Sequence, residues 1–234
     1  MVPPAEFTSY YGRPVLKASP WTDDIPAYLF LGGLAAGSSL LGAGADLTAR
    51  PVLRKRSRLT ALGAISASMY LLVHDLGRPA RFLNMLRVAK PTSPMSMGTW
   101  ILSAYGPGVG LAGVAELLPD RGLWRRLRHL ARPAGIASAL TAPAVASYTA
   151  VLLADTATPA WHEAHRELPF VFVGSAAAAS GGMGMLLAPL EESGPAQRLA
   201  LGGALVELAA GHRMEQSMGL AAQALHEGRA GQLM

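Results

Sequence analysis

The chain has 234 residues, of which 51% are hydrophobic and only 15% are charged, whereas about 25% of the residues of a typical soluble domain are charged. So few charged residues argue against a soluble globular protein and favour a membrane protein. The absence of cysteine excludes disulfides, thiolate-ligated iron–sulfur clusters and cysteine nucleophiles within this sequence.

Six apolar runs follow one another along the chain, and a membrane-spanning helix needs about 20 apolar residues. The runs are residues 25–45, 59–73, 95–115, 133–154, 168–190 and 199–211. The second is short, so Arg58 and His74 at its ends are expected to snorkel to the membrane surfaces. The sixth contains Glu207 and is marginal alone. The pattern predicts an all-α integral membrane protein, a polytopic bundle of about six transmembrane helices.

This bundle, residues 25–211, divides the chain into three parts. Residues 1–24 are predicted to form an extramembrane N-terminal segment, and residues 212–234 a C-terminal segment. Residues 77–93, between the second and third runs, form a long basic connection that contains Arg78, Arg81, Arg87 and Lys90. Apolar side chains separate these cations, which predicts a short amphipathic helix on the membrane surface. The connection is either a lipid anchor or a docking platform for an acidic or iron–sulfur partner.

The distribution of Lys and Arg predicts the orientation of the bundle. Eleven basic residues fall in the first, third and fifth connections, against nine on the other side, where nine carboxylates offset them. The first side is therefore predicted to be cytoplasmic and the N-terminus non-cytoplasmic. Because the cations lie in short connections without interleaved aromatic residues, topology explains them better than nucleic-acid binding.

The positions of the histidines indicate whether the protein could be a di-haem cytochrome b. Proteins of that class bind haem through histidines on facing helices. All six histidines of this sequence lie in connections or near the ends of apolar runs. His162 and His165 have a loose metal-ligand spacing, but they lack a partner pair elsewhere. The sequence therefore predicts neither haem nor a metal site.

Three stretches, in order, resemble the NrfD/polysulfide-reductase membrane-subunit family. Residues 10–37 read YYGRPVLKASPWTDDIPAYLFLGGLAAG, residues 75–102 read DLGRPARFLNMLRVAKPTSPMSMGTWIL, and residues 148–172 read YTAVLLADTATPAWHEAHRELPFVF. The resemblance implies a cytoplasmic-membrane protein that is not catalytic alone and carries no haem or iron–sulfur cluster. It would exchange electrons between a bound quinone, menaquinone or ubiquinone, and a ferredoxin-like iron–sulfur subunit, with a molybdopterin-type catalytic subunit beyond it.

The resemblance also implies roles for single residues. Tyr148 matches the quinone-contacting tyrosine of the family, and Tyr28 stands where a relative has a quinone-contacting histidine. A tyrosine hydroxyl can donate a hydrogen bond to a quinone oxygen. Without the family, both tyrosines would be read as residues of the aromatic belt at the membrane surface.

Three carboxylates are candidates for a proton path to the quinone. Asp75 aligns with the family's proton-path carboxylate, but it could equally cap its helix or pair with Arg78 or Arg81. Asp24 is a secondary candidate, although Asp23 and Asp24 are also well placed to cap the first helix. Glu207 is the carboxylate inside an apolar run, where an acid is costly enough to suggest a function; alternatively it lies near the end of a short segment.

The family usually has eight or more spanning helices, so this sequence is expected to be a fragment, a shortened product or a divergent member that lacks further helices. The alternative function is a non-redox membrane anchor or a small transporter. A transporter would be favoured by paired broken helices and by charged residues near the middle of the membrane. For the latter the sequence offers chiefly Glu207.

Overall fold

The structure, a computed structural model, describes residues 23–119, 121–155 and 159–231. Six long helices make up the bundle: α1 Asp24–Leu47, α2 Pro51–Asp75, α4 Pro94–Leu117, α5 Leu123–Ala154, α7 Leu168–Leu187 and α8 Gly194–Gly231. Two short helices lie in connections, α3 Arg81–Met85 and α6 Pro159–Glu163, the latter followed by a 3-10 turn at Ala164–Arg166. No strand occurs in these described ranges.

The prediction of an all-α polytopic bundle is confirmed. Each of the six long helices covers all or most of one apolar run. Three described segments are long and apolar enough to cross a membrane: Asp24–Leu47, Arg128–Ala154 and Leu168–Leu187. The helical conformation of these segments pairs most of their backbone polar groups in hydrogen bonds, as a bilayer requires.

Helix α1 is the centre of the bundle and packs against α2, α5 and α7, while α4 packs against α2 and α5 and α8 packs against α7. Small residues bring these helices close together. Gly37 faces Ser180, whose hydroxyl donates a hydrogen bond to the carbonyl of Leu34 at 3.0 Å. Gly181 faces the backbone of Ala196 and Ala200 in the same way. The abundance of glycine and alanine thus serves packing between helices.

Neighbouring contacts give the direction of each helix. Gly42 of α1 lies against Arg58 of α2, and Gly98 of α4 lies against Tyr148 of α5, so consecutive long helices are antiparallel. The connections α1–α2, α4–α5 and α7–α8 therefore lie at one end of the bundle, which we call the basic end. The opposite end, where α1 begins, is called the Tyr28 end.

Several boundaries differ from the sequence prediction. Helix α5 begins ten residues before its apolar run, and α8 continues to Gly231, through most of the predicted C-terminal segment 212–234. Hydropathy detects only the apolar part of a helix, and charged residues can extend it beyond the run. In the basic connection 77–93, only α3 is helical. Residues 1–22, with Arg13 and Lys17, lie outside the described residues, as does the end of the chain, residues 232–234.

The expectation that Arg58 snorkels to the surface is wrong, because its side chain is only 7% exposed. It is paired with acidic groups of two other helices at the basic end. The proposed cap of α1 is also wrong in detail. Asp23 occupies the N-cap position without a side-chain cap hydrogen bond, and the carboxylate of Asp24 contacts His74 instead.

Candidate functional site

A cavity at the Tyr28 end brings together residues from three separate parts of the sequence. Its volume is about 100 Å³. Tyr28 of α1, Asp75 at the end of α2, Thr99 of α4 and Tyr148 of α5 supply the polar groups of its wall. The rest of the wall is formed by Ile25, Leu72, Leu76, Met85, Met95, Gly98, Leu102 and Leu152. The site is thus mostly apolar with a few polar groups, which is typical of small-molecule sites.

Tyr28 is held where α1 and α2 cross. Its side chain is buried, with 5% of the residue exposed, and its backbone carbonyl accepts a hydrogen bond from the buried hydroxyl of Ser68 on α2 at 3.1 Å. This bond joins the two helices beside the cavity. The burial of Tyr28 differs from the wet environment that the aromatic-belt interpretation predicts.

Tyr148 is positioned by the absence of a side chain on the facing helix. A Cβ on Gly98 of α4 would overlap the ring of Tyr148, so the ring can lie where it does only because residue 98 is glycine. Gly98 is a site residue that sequence reasoning missed. Antiparallel pairing of the third and fourth runs would have placed the start of one beside the end of the other, and with it Gly98 beside Tyr148.

Asp75 lies at the edge of the cavity, where α2 ends. It is the last residue of α2, half-buried, and lines the cavity. The preceding residue, His74, is exposed at the same helix end, and its Nδ1 lies 2.7 Å from an Oδ2 of Asp24. The ring of Tyr70 stacks on that of His74 with centroids 5.9 Å apart. Asp24 is therefore near the site, in a pair with His74, but is not part of the cavity wall.

The basic connection adjoins the cavity. Leu76, which precedes the connection, and Met85 within it belong to the cavity wall, whereas Arg78, Arg81, Arg87 and Lys90 are all exposed. The last part of the connection is fixed to α4 by Ser96, whose hydroxyl donates to the Val88 carbonyl at 2.9 Å and accepts from the Lys90 amide at 3.0 Å. Met85 of this segment thus contributes to the cavity wall, while its cations are exposed, as are Leu83 and Val88.

Glu207 lies in a different place. It is half-buried on α8 and lines a separate groove of about 220 Å³ together with residues of α1, α5 and α7. Leu29, Phe30 and Phe172 are among the apolar side chains of that groove. The structure therefore brings Tyr28, Asp75 and Tyr148 to one cavity and Asp24 to its edge, but it does not bring Glu207 there.

The basic end contains a buried ionic cluster that the sequence did not predict. Arg58 donates to Glu116 at 2.9 Å and to Asp46 at 3.1 Å, and Arg54 donates to Glu116 at 3.0 Å. The Arg132 Nε lies 3.7 Å from Asp46. The signal that could have found this cluster is the position of Asp46 and Glu116, each at the end of an apolar run that leads into a basic connection.

No group of three or more His, Cys, Asp or Glu side chains that could hold a metal ion occurs among the described residues. The rings of His162 and His165 stack with centroids 5.7 Å apart, and the Nδ1 of His165 lies 2.8 Å from the carbonyl oxygen of His162. These contacts with each other explain the close spacing of His162 and His165 without a metal ion.

Comparison with known proteins identifies the family. The sequence profile described as "Polysulphide reductase, NrfD" matches residues 16–205, which is most of the chain. The chain belongs to the NrfD family. The resemblance inferred from the three motifs is thereby confirmed, and this NrfD-family protein is a multi-pass membrane protein.

A curated relative supports the same assignment. The sequence is similar to that of the C chain of polysulfide reductase from Wolinella succinogenes, with 34% identity over 149 residues, which cover 57% of this protein and 47% of the relative. The protein thus spans about half the length of the curated relative that it matches. No solved structure matches it significantly.

Proposed function

We propose that this NrfD-family protein is the quinone-interacting membrane subunit of a respiratory oxidoreductase complex in the cytoplasmic membrane. In this role it passes electrons between the membrane quinone pool, menaquinone or ubiquinone, and an iron–sulfur partner subunit. The observation that carries the proposal is the single cavity lined by Tyr28, Asp75 and Tyr148 beneath the exposed basic connection. Two tyrosines and a carboxylate, which are suited to hydrogen bonding and proton exchange with a quinone, meet there from three helices.

The cavity fits one end of an amphipathic ligand. Its volume of about 100 Å³ is small beside the roughly 300–1,000 Å³ of pockets that enclose whole drug-sized ligands. A quinone ring would enter with its carbonyl oxygens toward the two tyrosines, and its isoprenoid tail would lie along the lipid-facing surface. The apolar wall suits the faces of the ring, and the hydroxyl groups of Tyr28 and Tyr148 suit its oxygens.

Quinone chemistry needs protons as well as electrons. Conversion between quinone and quinol moves two electrons and two protons, so the site needs a titratable group that reaches water. Asp75 meets this requirement because it lines the cavity while lying at the end of its helix. It would exchange protons with the ring oxygens, and the pair of Asp24 and His74 beside it offers a secondary route to the surface. Glu207 lies outside this route.

The partner subunit would dock on the connection above the cavity. Arg78, Arg81, Arg87 and Lys90 are exposed there and are complementary to an acidic surface on a ferredoxin-like iron–sulfur subunit. Since Met85 of the same segment lines the cavity, a docked cluster would lie close to the quinone ring. A molybdopterin-type catalytic subunit would bind beyond it, on the non-cytoplasmic side if the predicted orientation holds.

The proposal is tested by removing the hydroxyl of Tyr148 in the assembled complex in native membranes. Tyr148→Phe keeps the ring against Gly98 but removes the donor, and a hydrogen bond of this kind is worth about 1 kcal/mol. We expect the rate of quinone turnover to fall about fivefold with assembly intact, since each 1.4 kcal/mol is tenfold in rate. Steady-state quinone reduction or quinol oxidation is the measurement.

The matched control is Tyr70→Phe at the same end of the bundle. Tyr70 is 69% exposed and keeps its stacking on His74 without the hydroxyl, so turnover should stay at the wild-type rate. Unchanged turnover of Tyr148→Phe would contradict the proposal. If the intact protein also binds no quinone analogue and co-purifies with no iron–sulfur protein, it acts as a non-redox anchor or a transporter.

A further inference from the structure

The basic end of the bundle carries a polar basin that the proposed quinone chemistry does not use. Two adjoining cavities, of about 300 and 420 Å³, form it between α2, α4 and α5. They share Arg54, Glu116 and Arg128 in their walls. Six cationic side chains line the basin: Arg54, Lys55, Arg56, Arg58, Arg125 and Arg128.

The acidic charge of the basin is already compensated. Glu116 is the carboxylate in the lining of both cavities, and its Oε1 accepts hydrogen bonds from Arg58 at 2.9 Å and from Arg54 at 3.0 Å. Its side chain is only 6% exposed, so it forms the floor of the basin. With six cationic side chains and one carboxylate in its lining, the basin carries a net positive charge.

Exposed apolar side chains of the same helices are sequence neighbours of residues that line the basin. Leu117 at the end of α4 is 64% exposed, and Trp124 and Leu130 of α5 are 45% and 51% exposed. A tryptophan beside a basic cluster at the end of a spanning helix is typical of the lipid headgroup level. The surroundings thus offer contacts for acyl chains directly beside a site for negative charge.

We propose that this basin binds the phosphate headgroup of an anionic phospholipid, with its acyl chains against Leu117, Trp124 and Leu130. Basic pockets between membrane helices on the cytoplasmic side are suited to such headgroups. Several guanidinium groups can donate paired hydrogen bonds to phosphate oxygens. The flanking apolar residues favour a lipid over free phosphate, because a soluble anion makes no use of them.

The proposal is tested on the full-length protein in nanodiscs that contain dioleoyl-phosphatidylglycerol and dioleoyl-phosphatidylcholine in equal amounts. The measurement is the ratio of the two lipids that stay bound after detergent extraction, read by native mass spectrometry. We expect the wild-type protein to retain the anionic lipid about tenfold over the zwitterionic one. Arg125→Gln combined with Arg128→Gln should remove most of this preference, because each cation near an anionic headgroup contributes substantially to binding.

The matched control is Arg166→Gln combined with Arg213→Gln, which removes the same charge from exposed sites near the opposite end and should keep the preference. An Arg125/Arg128 variant with wild-type selectivity would overturn the proposal. A wild-type protein that retains both lipids equally would also overturn the proposal, and this result does not depend on the folding of any variant. If inorganic phosphate protects the protein against thermal unfolding and the lipids do not, the ligand is a free anion and the lipid proposal fails.

Discussion

The two ends of the bundle use ionisable residues in opposite ways. At the basic end, Arg58 and Glu116 are buried at 7% and 6% side-chain exposure and neutralise each other at 2.9 Å. At the Tyr28 end, Asp75 is half-buried in the wall of a mostly apolar cavity beside two tyrosines. The first arrangement joins helices, whereas the second places a titratable group where a ligand can reach it.

Substitutions at the basic end should therefore affect mainly the stability of the protein, whereas substitutions at the Tyr28 end should affect mainly quinone turnover. Breaking a buried ion pair leaves one charge uncompensated in a low-dielectric interior, which is strongly destabilising. A half-buried carboxylate at a helix end can lose its charge at little cost to folding, but any proton transfer that depends on it stops. The predictions below use this contrast and are given in decreasing order of effect.

Arg58→Met should lower the free energy of unfolding by about 3 kcal/mol, because Asp46 and Glu116 lose their buried guanidinium partner. Chemical unfolding of the purified protein in detergent, followed by circular dichroism, measures this loss. The control is Arg56→Met on the same helix, where the side chain is exposed and the change should stay within about 0.5 kcal/mol. Equal losses at the two positions would mean that the buried cluster does not stabilise the bundle.

Asp75→Asn should reduce the rate of quinone turnover about a hundredfold, the usual scale for loss of a general acid or base. The loss of stability should be smaller than in Arg58→Met, because Asp75 is only half-buried. Asp155→Asn is the control, since Asp155 is an exposed carboxylate at the same end of the bundle and does not line the cavity. A turnover rate that falls equally in both variants would remove the case for Asp75 as the proton-exchanging group.

Arg78→Glu combined with Arg81→Glu should weaken association with the iron–sulfur partner about tenfold at low salt, because two attractive charges become repulsive. Membrane insertion should be unaffected. Co-purification at graded ionic strength measures this effect. Arg121→Glu combined with Arg198→Glu makes the same charge change at exposed sites of the basic end and should leave association intact. If the Arg78/Arg81 variant associates normally, the connection is only a lipid anchor.

Gly98→Ala should raise the KM for quinone a few fold, because the new methyl group displaces the ring of Tyr148. Gly110→Ala is the control on the same helix, since a Cβ there would meet no described atom within 4 Å. That change should leave KM unaltered and slightly stabilise α4, because alanine has the higher helix propensity. The KM measured for both variants decides whether Tyr148 needs its present position for binding.

The long helices were predicted well from the sequence because their signal is local. An apolar run of about 20 residues has few alternatives to a membrane helix, and the two shorter runs, 59–73 and 199–211, also lie in long helices. Their ends were predicted less well, since α5 and α8 continue through charged residues that hydropathy excludes. The family could also be identified from the sequence, because its three motifs are contiguous stretches in a fixed order.

The site was predicted unevenly, for reasons that differ between residues. Tyr28, Asp75 and Tyr148 were singled out by resemblance, and the structure brings them to one cavity; their roles stay predictions. Glu207 was singled out by its position in an apolar run, yet it lines another groove. The apolar run around Glu207 predicts that the residue lies within a helix of the bundle. It does not predict which face of α8 carries the side chain.

The sequence alone therefore predicts the helical membrane bundle, its family and the individual residues that could take part in quinone chemistry. Which of those residues meet depends on how the helices pack. Gly98 is part of the site only because α4 and α5 are antiparallel, and Arg58 is buried only because Asp46 and Glu116 arrive from two other helices. Such encounters join distant parts of the chain, and a local apolar pattern does not encode them.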